Sequence, residues 1–151
     1  MHIHTLLGKF LNIKKVYGHC DIPCGIYDPI SAKIAAQTVL KMTMKIEALG
    51  NTSDANSLNR FIAAKEKHAE LVKHEIDILW HDYFKPEHLE KYPDLHTKVW
   101  NTTKLAASNK QNVDSKSATQ LVTSVDEIAL IFWATKGVDY SDTVESIRFG
   151  S

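Results

Sequence analysis

Residues 57–86 read SLNRFIAAKEKHAELVKHEIDILWHDYFKP, and the spacing of their apolar side chains decides the fold. Leu58, Phe61, Ile62, Ala69, Val72, Ile76, Leu79 and Tyr83 recur at helical intervals, which sets them on neighbouring faces of a helix turning every ~3.6 residues. Asp54 or Ser57 can begin it. It runs to about Phe84 and stops before Pro86, since the residue preceding a proline is pushed out of the helical region. At ~1.5 Å per residue such an element is about 40 Å long.

Three further helices flank it. Pro29 suits a first helical turn, with Asp28 as N-cap, and Ile34, Val39, Leu40, Ile46 and Leu49 then form an approximately helical stripe that Gly50 ends. Downstream, Pro93 opens a third helix with Leu95, Val99, Leu105 and Ala106 facing inward, and Ser108 to Ser117 is a polar loop. A fourth carries Leu121, Val122, Val125, Ile128, Ala129 and Phe132 and ends at Gly137. No period-2 alternation suggests a sheet. The expectation is an all-α, antiparallel up-down four-helix bundle over residues 19–137, followed by a loosely held C-terminal tail at 138–151.

Length and charge narrow the function. A chain of 151 residues holds one domain with a real core. Its 44% apolar and 24% charged content is that of an ordinary soluble globular protein. Lys9, Lys14 and Lys15 are the only charged side chains among the first 18 residues, so the rest carries 15 basic and 18 acidic groups, a net −3. A mildly acidic body argues against a nucleic-acid surface, and no apolar run of about 18 residues exists to span a membrane. In Met1–Gly18 the apolar pairs Leu6-Leu7 and Phe10-Leu11 are broken by lysines, a poor secretory core. The segment reads as a removable leader, with organelle targeting as the other reading.

Both cysteines fall in one string, His19-Cys20-Asp21-Ile22-Pro23-Cys24-Gly25-Ile26-Tyr27-Asp28-Pro29. Thiolates are soft ligands, and imidazole suits nickel, copper, iron and zinc. Pro23 stiffens the span and Gly25 frees the backbone behind it. The CxxxC spacing alone also fits structural thiols or part of a zinc site. A closed zinc site wants four ligands, though, and the string offers three side chains. A redox disulfide usually shows CxxC instead.

The string closely resembles the nickel-binding hook of the nickel superoxide dismutase family. Residues 79–96 (LWHDYFKPEHLEKYPDLH) and 131–136 (IFWATK) resemble that family too, so the likeness runs from His19 to about Lys136. It implies disproportionation of superoxide to oxygen and hydrogen peroxide through a Ni(II)/Ni(III) cycle, with one nickel ion per subunit. It implies that Cys20 and Cys24 give the sulfurs, Cys20 also a deprotonated backbone amide, and His19 its α-amine and an axial ring nitrogen. Until the leader 1–18 is cut after Gly18 by a protease, that amine is an amide. The resemblance also implies that Tyr27 and Tyr83 line the approach to the metal, that Asp21 holds the hook loop, and that Asp82 supports Tyr27 or the hook backbone. Lys85 is the expected local attractor for superoxide. A cytoplasmic homohexamer is the family's usual state.

Two positions depart from the family pattern. Where its better-known members place a glutamate on the first helix and an arginine on the second, this chain has Ala35 and His68. A coupled replacement is the expectation, because such partners set the orientation and basicity of a ligating ring; His68 reads either as a partner bonding His19 or as a helix-surface histidine. A carboxylate-bridged metal pair needs Glu-x-x-His on two helices, and none of the eight histidines has a glutamate three residues before it. The competing functions are a nickel or zinc carrier without turnover and a helical interaction protein whose hook has become structural.

Overall fold

The computed structural model describes residues 25–50 and 54–150. Its long helices are α1 (Ile30–Leu49), α2 (Ala55–Ile78), α4 (Leu95–Gln111) and α5 (Ser115–Thr135), with a short α3 (Pro86–Lys91) between α2 and α4 and a short α6 (Glu145–Phe149) after α5. Helix α1 packs on α2 and α5, and α4 closes the ring against the same two. Four long helices packed in a ring make the helical bundle expected. No helix among the described residues is long and apolar enough to cross a membrane.

Caps start the helices much as the side chains predict. Asp28 Oδ1 accepts from the Ile30 N–H at 2.8 Å, and Asp54 Oδ1 from the Ser57 N–H at 3.0 Å. The buried face of α1 differs from the expected stripe. Ala32, Ala35, Ala36 and Val39 are fully buried, whereas Ile34 is 45% exposed. Ile34 lies two residues from both Ala32 and Ala36, about 200° around a helix of ~3.6 residues per turn. Alanines on the core side let α2 and α5 approach closely, and Ile76, Leu95, Leu121, Val125, Ile128 and Phe132 fill the interior.

The loop expected over Ser108–Ser117 is largely helical. Helix α4 runs on to Gln111, and α5 starts at Ser115, where Asp114 accepts from the Lys116 N–H at 2.9 Å. Polar side chains there serve the backbone. Buried Asn109 donates to the carbonyls of Leu105 and Ser117. The Lys65 ammonium, from α2, donates to the carbonyls of Asn109, Lys110 and Asn112. A cation suits a helix C-terminus, where unpaired carbonyls point outward. Burial pulls the pKa of Lys65 down, against an opposing attraction from Glu66.

Two further segments depart from expectation. Helix α2 ends not in α turns to Phe84 but in a π turn, Leu79–Tyr83, closed by the Phe84 N–H on the Leu79 carbonyl at 2.9 Å. Pro86 does stop that run, then serves as the first residue of α3.

The C-terminal segment is held in place. Gly137, at φ 73°, turns the chain out of α5, and the Tyr140 ring stacks on Trp133 with centroids 5.6 Å apart. Asp142 then meets buried Lys33 at 3.2 Å and Arg148 at 2.8 Å, while Lys33 also pairs with Asp126 at 2.6 Å. Gln37 donates to Glu145 at 3.1 Å. Charge pairing with α1 and α5, not apolar periodicity, fixes this segment, which is why the sequence reads as a loose tail.

Hydrogen bonds from Arg148, against the opposing effect of burial and with help from Lys33, hold the Asp142 carboxyl down at about 2. A depressed carboxylate stabilises above its unfolded value and loses that contribution as pH falls through the folded one. Burial pushes Asp126 up, more than Lys33 pulls it down, so Asp126 works in the opposite sense. Asp142→Ala leaves Lys33 with Asp126 as its remaining partner and is expected to cost about 2 kcal/mol, the scale of a lost hydrogen bond to a charged group. Hydrogen exchange of the 145–149 amides checks this. Protection in the wild type should fade between about pH 4 and 2, and should be weak in the variant throughout.

Candidate functional site

The chain enters α1 beside the π turn. Gly25, at φ 70°, adopts the left-handed backbone that a glycine tolerates, and the chain passes through Tyr27 into the Asp28 cap of α1. His19, Cys20, Asp21 and Cys24 lie outside the described residues. Tyr27 and Tyr83 are brought together, their ring centroids 5.6 Å apart and tilted by 53°. Two tyrosines separated by more than fifty positions in sequence thus form one wall at the entry to α1.

Tyr83 is gripped from several elements. Its ring lies 4.5 Å from Phe132 of α5, 5.3 Å from Phe84 and 5.6 Å from His88 of α3, stacked on the last. Its hydroxyl is 2.6 Å from Thr135 Oγ1. π turns recur at functional sites because the extra residue re-aims side chains. Here the turn spans Leu79–Tyr83 and carries both Asp82 and Tyr83. Asp82 Oδ2 is buried and has no hydrogen-bond partner among the described residues.

The other expected residues are placed less centrally. Lys85 is exposed in extended backbone just before α3, its N–H donating to His88 Nδ1 at 3.2 Å. His68 is half-buried and donates Nδ1–H to the Ala64 carbonyl of its own helix at 2.7 Å, which leaves Nε2 as its free ring nitrogen. Ala35 is fully buried and has no polar group to offer. His81 is exposed and caps its own helix on the Asp77 carbonyl, while His96 lies 5.5 Å from the Trp80 ring. No group of three or more His, Cys, Asp or Glu among the described residues could hold a metal ion.

Three features escaped the sequence reading. Lys136 holds its ammonium 5.0 Å from the Tyr83 ring centroid and 5.1 Å from that of Phe132, a cation on this wall. Glu75, with Tyr27, Ser31 and Leu79, lines a cavity of about 150 Å³ at the root of the hook. Thr135 meets the Tyr83 hydroxyl. Lys136 and Thr135 sit in the Ile131–Lys136 motif, which was the available signal; for Glu75 the linear sequence holds none. A wider groove of about 690 Å³ opens further up α2, by Glu70 and His74, and brings no ligating cluster together.

A helical bundle with a two-tyrosine wall, preceded in sequence by a string of soft donors, belongs to the class of small metalloprotein bundles. The comparisons make it particular. The sequence model of nickel-containing superoxide dismutase matches residues 14–136. The superoxide dismutase [Ni] of Streptomyces seoulensis is 42% identical over 122 residues, spanning 81% of this chain and 91% of that protein. The one from Streptomyces coelicolor is 40% identical over 121 residues, spanning 80% and 90%. A crystal structure of Ni-containing superoxide dismutase after partial X-ray-induced reduction superposes with a TM-score of 0.73 at 41% identity, covering 80% of this chain and all of that one. A native nickel superoxide dismutase structure gives 0.72 at 40%, with the same coverage. This chain belongs to the nickel-containing superoxide dismutase family.

Steering of an anion by exposed lysines is dependent on salt, because exposed charges are screened beyond the Debye length. Lys85→Glu should lower kcat/KM by about tenfold near 0.01 M ionic strength, where the Debye length is about 30 Å, and far less near 1 M, where it is about 3 Å. Lys136→Glu should behave alike. Stopped-flow decay of superoxide across a salt series measures both, and parallel salt dependence in wild type and variants would remove these lysines from steering.

Proposed function

We propose that this chain disproportionates superoxide at one nickel ion per subunit, held by His19, Cys20 and Cys24 after cleavage following Gly18. The donor set fits the metal: two thiolates and an imidazole are ligands that nickel accepts, and all three fall within six residues. The observation that supports the reading is the Tyr27–Tyr83 wall, whose Tyr27 follows those residues closely in the chain. Nickel, when bound, supplies the one-electron shuttle that the reaction needs, provided anionic donors make its higher oxidation state reachable.

The protein's own groups do the rest. Tyr27 and Tyr83 narrow the approach and order water with their hydroxyls, admitting a species as small as superoxide. Lys85 and Lys136 draw the anion inward from solvent. Asp21 holds the loop by accepting hydrogen bonds from its backbone, as aspartates do in turns. Asp82 Oδ2, a buried acceptor without a donor among the described residues, is placed to serve the hook backbone or Tyr27. With Ala35 unable to orient a ring, His68 Nε2 is the group that takes the place of the family's usual partner for His19.

Assembly as a cytoplasmic homohexamer fits the same reading. Neighbours covering the hook would shelter its thiolates from peroxide, which otherwise drives cysteine up the oxidation ladder. A leader-removing protease completes the enzyme, because His19 has no free amine while it is joined to Gly18.

Purified intact chain and chain beginning at His19, compared for nickel content and superoxide turnover, test this directly. The intact form should be inactive and lack the mature centre, and the trimmed form should be active with nickel near one per chain. Equal activity in the two would remove the terminal amine from the mechanism.

A further inference from the structure

We propose that Thr135 is a positioning residue for Tyr83, anchoring the phenol at the depth from which it acts; this rests on the reading of Tyr83 as part of the metal approach. Thr135 is the last residue of α5 and is half-buried. Its hydroxyl donates to the Phe132 carbonyl at 2.6 Å. That carbonyl lies in the final turn of α5, where helical acceptors have no partner further along the helix. The N–H groups of Lys136 and Val138 go to Trp133 and that of Gly137 to Ala134.

Proton counting then fixes the direction of the next bond. A threonine hydroxyl has one proton and two lone pairs. With the proton on Phe132, Thr135 Oγ1 can only accept at 2.6 Å, so the Tyr83 hydroxyl is the donor. The chain of bonds runs from Tyr83 through Thr135 to the backbone of α5, and it turns the phenol proton toward the bundle. The lone pairs of Tyr83 are what remain for water on the hook side.

This anchor does what the ring contacts do not. His88 stacks on the ring while Phe132 and Phe84 meet it tilted and edge-on, and such apolar contacts set the ring's plane without giving its hydroxyl a polar partner. Tyr83 also ends a π turn, whose wider backbone closes there with the Phe84 N–H on the Leu79 carbonyl. A short bond from its far end to a second helix closes the remaining freedom. Placement of a group to within a fraction of an ångström matters for rate, since small misplacements at a site cost large factors.

The test uses trimmed, nickel-loaded protein with Thr135→Val, Thr135→Ser, Tyr83→Phe and the double variant Tyr83→Phe/Thr135→Val. Thr135→Val should keep nickel content and thermal stability near wild type and lower kcat/KM by about fivefold, the factor one neutral hydrogen bond is worth. Thr135→Ser should restore the rate. In the Tyr83→Phe background the valine substitution should add nothing, because the bond is already gone. A merely structural threonine would slow both backgrounds alike, which overturns the proposal. Impaired Tyr83→Phe together with a wild-type rate in Thr135→Val overturns this inference alone. Tyr83→Phe at full rate overturns the role given to Tyr83 and this inference with it.

Discussion

The packing of one tyrosine ties the bundle to the hook. Tyr83 touches Tyr27 on the chain leaving the hook, Phe132 and Thr135 on α5, and His88 on α3. Rigid elements place a site better than loops do. The Tyr27–Tyr83 contact joins the segment that enters α1 to such an element. The π turn exists to present it: an unbroken α helix would turn Asp82 and Tyr83 to other directions.

Support for this end of the molecule extends to the C-terminal segment. Tyr140 stacks on Trp133, the neighbour of Phe132, and the ion cluster of Lys33, Asp126, Asp142 and Arg148 locks the segment across α1 and α5. The residues from 137 onward lie beyond the part matched by the family's sequence model. The bundle core itself is lean on α1, where alanines dominate. Such a face buries little apolar area per residue and relies on close helix contact, so added clamping by paired charges is a reasonable complement. Buried pairs are poor sources of net stability yet costly to break, and so they hold a segment in one place.

Legibility in the sequence followed the range of the interactions. Metal donors within six residues are a local pattern, and helices with a 3.6-residue stripe announce themselves through Leu58, Val72, Ile76 and their neighbours. Capping by Asp28 and Asp54 was readable for the same reason. Ile34 misled because hydrophobicity was weighed above size, whereas the core of α1 selects alanines. Lys33 and Lys65 look like solvent-facing lysines in a string of letters, and only tertiary partners turn them inward. The π turn and the pinned C-terminal segment depend on contacts across the fold, which no window of neighbouring residues contains. The roles of Tyr27, Tyr83 and Lys85 came from likeness to a family, and the placement of Thr135, Lys136 and Glu75 from the structure.

The central claim is that a newly exposed nitrogen at His19 joins the two cysteine sulfurs to make a redox-active nickel centre on this scaffold. Mass spectrometry combined with metal analysis, on protein purified from its own host, tests it most directly. The account predicts a chain whose mass begins at His19, carrying one nickel ion. A chain that keeps residues 1–18, or that lacks nickel, while still consuming superoxide would contradict it.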